Sequence, residues 1–262
     1  MSYHYLDVRT PHPHRIEVWL NRPEVRNAFN EELILELTKV FKEIEQQPEV
    51  RVVLLAAHGK SFCAGADLNW MRAMADYSWD QNRKDAQKLA DMLWTLDQCS
   101  APIVGRLQGD CYAGGVGLAA ICDVLIASQD MHFCLSESRL GLLPATISPY
   151  VLRALGEQAS RRYMLTAERF DAKRAQALGL VHEVYQLEQL DEKLEELMTI
   201  LMANGPQATR ECKRLVRDVA GKEVTALLRE ETARRIADIR ASEEGKEGVQ
   251  SFLSKRSPKW LT

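Results

Sequence analysis

The chain has 262 residues, of which 46% are hydrophobic and 27% charged, with 34 Lys and Arg against 37 Asp and Glu. This composition belongs to a folded soluble protein and excludes low-complexity disorder and collagen-like repeats. A net charge of −3 gives no general attraction to nucleic acid or to an anionic membrane, so neither is an expected partner.

In chain order, IEVWL (Ile16 to Leu20) alternates and predicts a strand that Arg22-Pro23 breaks. Asn30-Glu31-Glu32 predicts a capped helix start, and Leu33, Leu37, Val40, Phe41 and Ile44 follow at helical spacing before Pro48. RVVLLAA (Arg51 to Ala57) predicts a strand buried on both faces. HGKSFCAGADL then reads as a glycine-marked loop. Leu89, Leu93 and Leu96 predict a helix ending before Ala101-Pro102, and IVGRL (Ile103 to Leu107) predicts a strand. GDCYAGGVGLAAICD is a glycine turn running into a helix of small apolar residues. VLIAS (Val124 to Ser128) and HFCL (His132 to Leu135) predict two more strands. Such alternation argues for an α/β fold. After about residue 150 the character changes. Leu187 to Met202, Pro206 to Val219 and Val224 to Arg240 read as amphipathic helices with no Pro/Gly/Ser linker before them, which predicts a tail packed on the core or on a neighbouring subunit.

No run approaches the ~20 apolar residues of a membrane span, and the opening MSYHYLDVRTPHPH lacks the apolar centre of a signal peptide. A cytoplasmic protein without membrane association is expected. Six cysteines (63, 99, 111, 122, 134 and 212) form no CxxC pair, and most sit among apolar residues. They read as small buried hydrophobes in a reducing compartment. His12 and His14 bracket Pro13 with no third ligand nearby, so no metal is expected.

No P-loop, GxSxG elbow, HExxH or EF-hand loop occurs, and Gly115-Val116-Gly117 lacks the third glycine of a dinucleotide fingerprint. Two glycine turns remain. Ala113-Gly114-Gly115-Val116-Gly117 follows a strand and opens a helix. The first N–H groups of a helix have no internal partner, and the dipole adds partial positive charge. Such a turn is either an oxyanion-binding element or a device for close helix–strand packing. Phe62-Cys63-Ala64-Gly65-Ala66-Asp67-Leu68 also follows a buried strand and could supply a second backbone donor.

FCAGADL, GDCYAGGVGLAAICD and FCLSESRLGLLP, in this order, resemble the enoyl-CoA hydratase/isomerase (crotonase) superfamily, and LNRPEVRNAF and FLSKRSPKW resemble its two ends. The resemblance covers essentially the whole chain. ADLNWM, GGVGLAAICD and ESRLGLLPATISPYV look closest to bacterial 3-methylglutaconyl-CoA hydratases and to hydratases of isoprenoid glutaconyl-CoA substrates such as γ-carboxygeranoyl-CoA. The resemblance implies an α/β, crotonase-like spiral of ββα units over residues 1–195. It also implies a helical trimerisation region over 196–262, with assembly as a homotrimer or homohexamer. It places a thioester carbonyl between the N–H groups of Ala66 and Gly114. CoA contacts fall on Arg26 to Ala28 and Ala64 to Leu68 (Arg26, Ala28, Ala64, Asp67 and Leu68 among them), with Phe252 and Lys255 contributed by a neighbouring subunit. No cofactor is implied, CoA being part of the acyl-CoA substrate.

Hydratases of this family usually carry two glutamates. The second corresponds to Glu137, but the first falls on Gly117. Three explanations compete: a substrate with its own distal carboxylate, which we favour; a double-bond isomerisation needing one carboxylate; or loss of chemistry, leaving a binder of acyl-CoA or RNA. Arg72, Arg139 and Arg153 are candidate partners for a substrate carboxylate. Trp70 and Met71 are expected in or beneath the acyl pocket, and Asp123 to cap or salt-bridge after its helix.

Overall fold

The computed structural model describes residues 3–261. It begins with strands β1 (Leu6–His12) and β2 (Arg15–Leu20), helix α1 (Glu31–Glu45), strand β3 (Val52–Ala57), and helices α2 (Leu68–Ala75) and α3 (Trp79–Asp97). Then follow β4 (Ile103–Leu107), β5 (Asp110–Tyr112), α4 (Gly114–Ile121), β6 (Val124–Ser128), β7 (His132–Cys134) and α5 (Ser148–Thr166). The chain ends with β8 (Phe170–Asp171), α6 (Ala172–Ala177), β9 (Glu183–Tyr185), α7 (Leu190–Ala203), α8 (Pro206–Val219), α9 (Ala226–Ala241) and α10 (Glu243–Leu253).

A six-stranded sheet has the order β1-β2-β3-β4-β6-β9, and a three-stranded sheet the order β5-β7-β8. Only β1 runs antiparallel in the first. Successive units β4-β5-α4 and β6-β7-α5 each give one strand to the large sheet, one to the small sheet and then a helix. The β3 unit repeats this, with Cys63 bridging Cys111 where a small-sheet strand would stand. This is the ββα spiral expected from the motifs.

Local chemistry explains the elements. Asn30 caps α1 by accepting from the Leu33 N–H at 2.9 Å. The five apolar positions named for this helix are all buried. Every residue of β3 is buried, with alternating destinations. Val53, Leu55 and Ala57 enter the main core with α1, α3, α4 and α5. Val52, Leu54 and Ala56 meet Leu190, Leu194 and Met198 of α7 on the other face. A strand covered on both sides reads as an unbroken apolar run.

The division expected at 195/196 falls inside α7, which packs on the sheet; the outermost residues of the two ranges lie outside the described residues. Packing character changes after Ala203. Across α8, α9 and α10 only Leu228 and Ser251 are buried, while Val216, Leu227, Val249, Phe252 and Leu253 stand exposed. Among the described residues no helix is long and apolar enough to cross a membrane.

The loops after β3 and β4 touch closely. A Cβ on Gly109, which has φ +68°, would lie 1.8 Å from the Lys60 carbonyl oxygen. Gly109→Ala should therefore lower stability by about 2–4 kcal/mol, read as a fall in the urea midpoint at constant m-value.

Candidate functional site

The small sheet positions the site. Cys63 bridges Cys111 in parallel, and Cys111 pairs with Phe133 in parallel. Three segments thus leave the same edge in register. Three residues past each cysteine stand Ala66 and Gly114, and four past Phe133 stands Glu137. Ligand sites form at the carboxyl ends of parallel strands because the departing loops converge there. Two bonds tie the exits together: Tyr112 N–H to Cys63 O, and Ala113 N–H to Cys134 O, both 2.8 Å. The cysteines behave as packed hydrophobes. Cys63 and Cys111 are fully buried, and burial pushes the Cys63 thiol up to about 12.

Glycines let the two turns interlock. A Cβ on Gly65 would stand 3.1 Å from Ala113 Cβ, and one on Gly115 would stand 2.8 Å from Cys63 Cβ. The close-packing reading of the glycine turn holds. Among the described residues neither the Ala66 nor the Gly114 N–H has a hydrogen-bond partner, and both residues are partly exposed. Phe29 N–H bonds Gly65 O at 2.7 Å and Asp67 N–H bonds Phe29 O at 2.8 Å, so the ladder passes over Ala66 and leaves its donor spare. Gly114 is the first residue of α4, where the N–H is orphaned by geometry. Ala113 before it holds φ +49°, ψ −119°, a backbone strain of ~1–3 kcal/mol that bends the chain sharply from β5 into α4.

Glu137 opens a short 3-10 turn, Glu137–Leu140. Its Oε2 is buried with no hydrogen-bond partner. Burial raises its carboxyl above the usual carboxylate range, its own N–H pulling weakly the other way. Among the described residues Arg139 is not its salt-bridge partner; that guanidinium donates to Ala167 O.

The other expected positions divide. Arg26, in the left-handed region at φ +54°, is exposed, and its carbonyl accepts from Ala64 N–H at 3.0 Å. Ala28 is buried and accepts from Arg22 Nη1 at 2.6 Å. Leu68 is exposed at the start of α2. Asp67 is buried, caps α2 through the Asn69 N–H, and pairs with Arg22 at 3.0 Å. Burial alone would raise its pKa. The Asn69 and Trp70 N–H groups and the Arg22 guanidinium outweigh that and hold it below its ordinary value. Its carboxylate is therefore engaged inside the protein, leaving the main chain to meet a ligand. Phe252 and Lys255 stand exposed at the end of α10.

Arg72 donates to Asn69 Oδ1 at 2.7 Å, and Arg153 pairs with buried Asp97. Trp70 is half-buried and donates to Asp85 at 3.2 Å, while Met71 is partly exposed. Asp123 does salt-bridge, pairing with Lys213 at 2.7 Å, and it accepts from the Ile103 N–H at the start of β4, also at 2.7 Å, while Cys122 caps α4. Sequence reasoning missed Asn27, whose buried side chain accepts from Arg22 N–H at 2.8 Å and donates to His58 O and Ser61 O at 2.9 Å. It fixes the Arg26–Ala28 segment against the loop after β3. Its only signal was its place in LNRPEVRNAF.

A family model described as Enoyl-CoA hydratase/isomerase matches residues 15–262. The chain belongs to this family. An enoyl-CoA hydratase from Shewanella pealeana ATCC 700345 superposes on this chain with a TM-score of 0.94 at 41% identity, covering 98% of this chain and 96% of that one. The 2,3-dehydroadipyl-CoA hydratase of Escherichia coli (strain K12) is 30% identical over 241 residues, 91% of this chain and 92% of its own length. Mevalonyl-coenzyme A hydratase sidH of Aspergillus fumigatus is 31% identical over 260 residues, 97% of this chain and 93% of its own. The fold is crotonase-like, and the activity is of the enoyl-CoA hydratase type, a lyase reaction on an acyl-CoA.

Proposed function

We propose that the protein adds water across the 2,3 double bond of a branched 2-enoyl-CoA, with 3-methylglutaconyl-CoA or an isoprenoid glutaconyl-CoA as its substrate. The supporting observation is a buried carboxylate oxygen without a partner, set beside two turns whose N–H groups are also unpartnered.

In this reading the Ala66 and Gly114 N–H groups receive the thioester oxygen. Glu137, as carboxylate, takes a proton from water while the water oxygen bonds C3. The π electrons move onto the thioester oxygen, where each amide stabilises the enolate by ~3 kcal/mol. Glu137 then returns that proton to C2. One residue moves one proton, so the atoms balance without a second acid. Arg26, Ala28, Ala64, Asp67 and Leu68 flank the CoA. Phe252 and Lys255 reach a neighbour's CoA in a trimer or hexamer, which would also cover the exposed apolar side chains of α8 to α10.

The two relatives are named for different acyl groups, so the acyl specificity rests on this pocket. A distal carboxylate needs a cation whose charge is still available. Arg153 is neutralised by Asp97. Arg72 and Arg139 pair with neutral oxygens and keep theirs. The second reading, isomerisation by one carboxylate, is favoured by Gly117. A panel of acyl-CoA substrates with and without a distal carboxylate decides. Hydration removes the conjugated-enoyl absorbance of 2-enoyl substrates, and isomerisation creates it from 3-enoyl ones. Turnover confined to 3-enoyl substrates would overturn the hydratase reading.

A further inference from the structure

We infer that Ile147 determines which enoyl thioesters this site hydrates, by filling the space in front of Gly117 and excluding a second carboxylate. This deepens the hydratase reading and rests on it.

A Cβ built on Gly117 would stand 2.3 Å from Ile147 Cγ2 and 2.8 Å from Ile147 Cβ, with Leu93 Cδ2 at 3.7 Å on another side. The contact to Cβ is independent of rotamer, so turning the isoleucine side chain cannot relieve it. Its backbone is also held. Ile147 caps α5 and is 1% exposed, and its carbonyl accepts from the Tyr150 and Val151 N–H groups at 3.1 Å each. Any side chain at 117 would have to displace the start of α5. Gly117 lies three residues along α4 from the Gly114 donor, on the same face of the helix.

The consequence is chemical. A carboxylate at 117 would give the attacking water a second hydrogen-bond partner opposite Glu137. Ile147 puts a methyl-bearing wall there instead. Water is then held by Glu137 and by whatever the substrate brings. An acyl group with its own distal carboxylate can supply the missing partner; a plain straight-chain enoyl group cannot. The pair Gly117–Ile147 therefore selects dicarboxylic enoyl thioesters over simple ones.

Two measurements test this. By melting, Gly117→Ala should lower the midpoint by roughly 5 °C, although glycine to alanine inside a helix ordinarily stabilises. On an Ile147→Gly background, which removes Cβ as well as Cγ2, the same change should be neutral or stabilising. Equal tolerance in both backgrounds overturns the steric pairing, whatever the substrate is. By kinetics, the parent protein should prefer 3-methylglutaconyl-CoA over crotonyl-CoA by ~100-fold in kcat/KM. Ile147→Ala only removes atoms and makes room for a supporting water. It should shift that ratio toward crotonyl-CoA by about fivefold, and Gly117→Glu with Ile147→Gly should shift it further. An unchanged ratio in Ile147→Ala overturns the specificity role. Undiminished turnover in Glu137→Gln sinks the hydratase reading instead and leaves the melting result standing, so the two failures are distinguishable.

Discussion

Glu137→Gln should reduce hydration of the preferred enoyl-CoA by about 10²- to 10⁴-fold and leave the protein as stable as before or more so. The first effect follows from losing the carboxylate proposed to carry the proton. The second follows from the buried Oε2, which has no partner to lose. Burial raises the folded pKa of Glu137, while the unfolded chain titrates at the ordinary glutamate value. The group's contribution to stability is therefore complete below that ordinary value and is lost as pH rises through the higher folded one. Parent and Gln proteins should melt alike in acid, and the Gln protein should pull ahead toward neutral pH. Activity moves the opposite way, because the carboxylate form takes the proton from water. The acid limb of kcat/KM should climb through the raised pKa and disappear in the variant. A parent that melts higher than the variant at neutral pH would show that Glu137 has a favourable partner, and would remove its assignment as the proton carrier.

The second large effect concerns the amides. Replacing the Gly114 N–H by an ester oxygen, with glycolic acid in place of glycine, should lower kcat by about 10²- to 10³-fold. The same exchange at Ala66, with lactic acid in place of alanine, should do likewise. Among the described residues neither N–H bonds to another group, so no hydrogen bond described in the fold is deleted. The small stability change comes from a weakened carbonyl one residue earlier: Ala113 O, which accepts from Val116 N–H, or Gly65 O, which accepts from Phe29 N–H. Both esters turning over at the parent rate with native melting would end the oxyanion-hole assignment.

Much of this was legible in the residues. The continuous run of β3 announced a strand covered on both faces, and the structure splits its side chains between two cores. Asn30 announced its helix by chemistry that needs no neighbour. The candidate site was legible where glycine sits in close quarters: a Cβ at 115 would stand 2.8 Å from Cys63 Cβ, and at 65 and 114 the nearest atoms of neighbouring segments would stand at 3.1 and 3.0 Å. What was hidden depended on long-range placement. α5 carries Pro149 near its start and Gly156 at φ +76° within it, which mask its helical period. β8 and β9 are too short to show alternation. The partner of Gly117 stands thirty positions away at Ile147, and no local pattern links the two. Asp67 is read from its motif as a contact for CoA, and its pairing with Arg22 is a matter of long-range placement that the motif does not show.

The small sheet has strands of three, three and two residues, against five to seven for most of the large one. The candidate site is thus hung on short ladders, while the bulk of the cohesion lies elsewhere. Warming will fray that edge first. Competence for chemistry should then fade while the surrounding scaffold is still intact, and it should return on cooling, because the scaffold keeps the template on which those few bonds re-form.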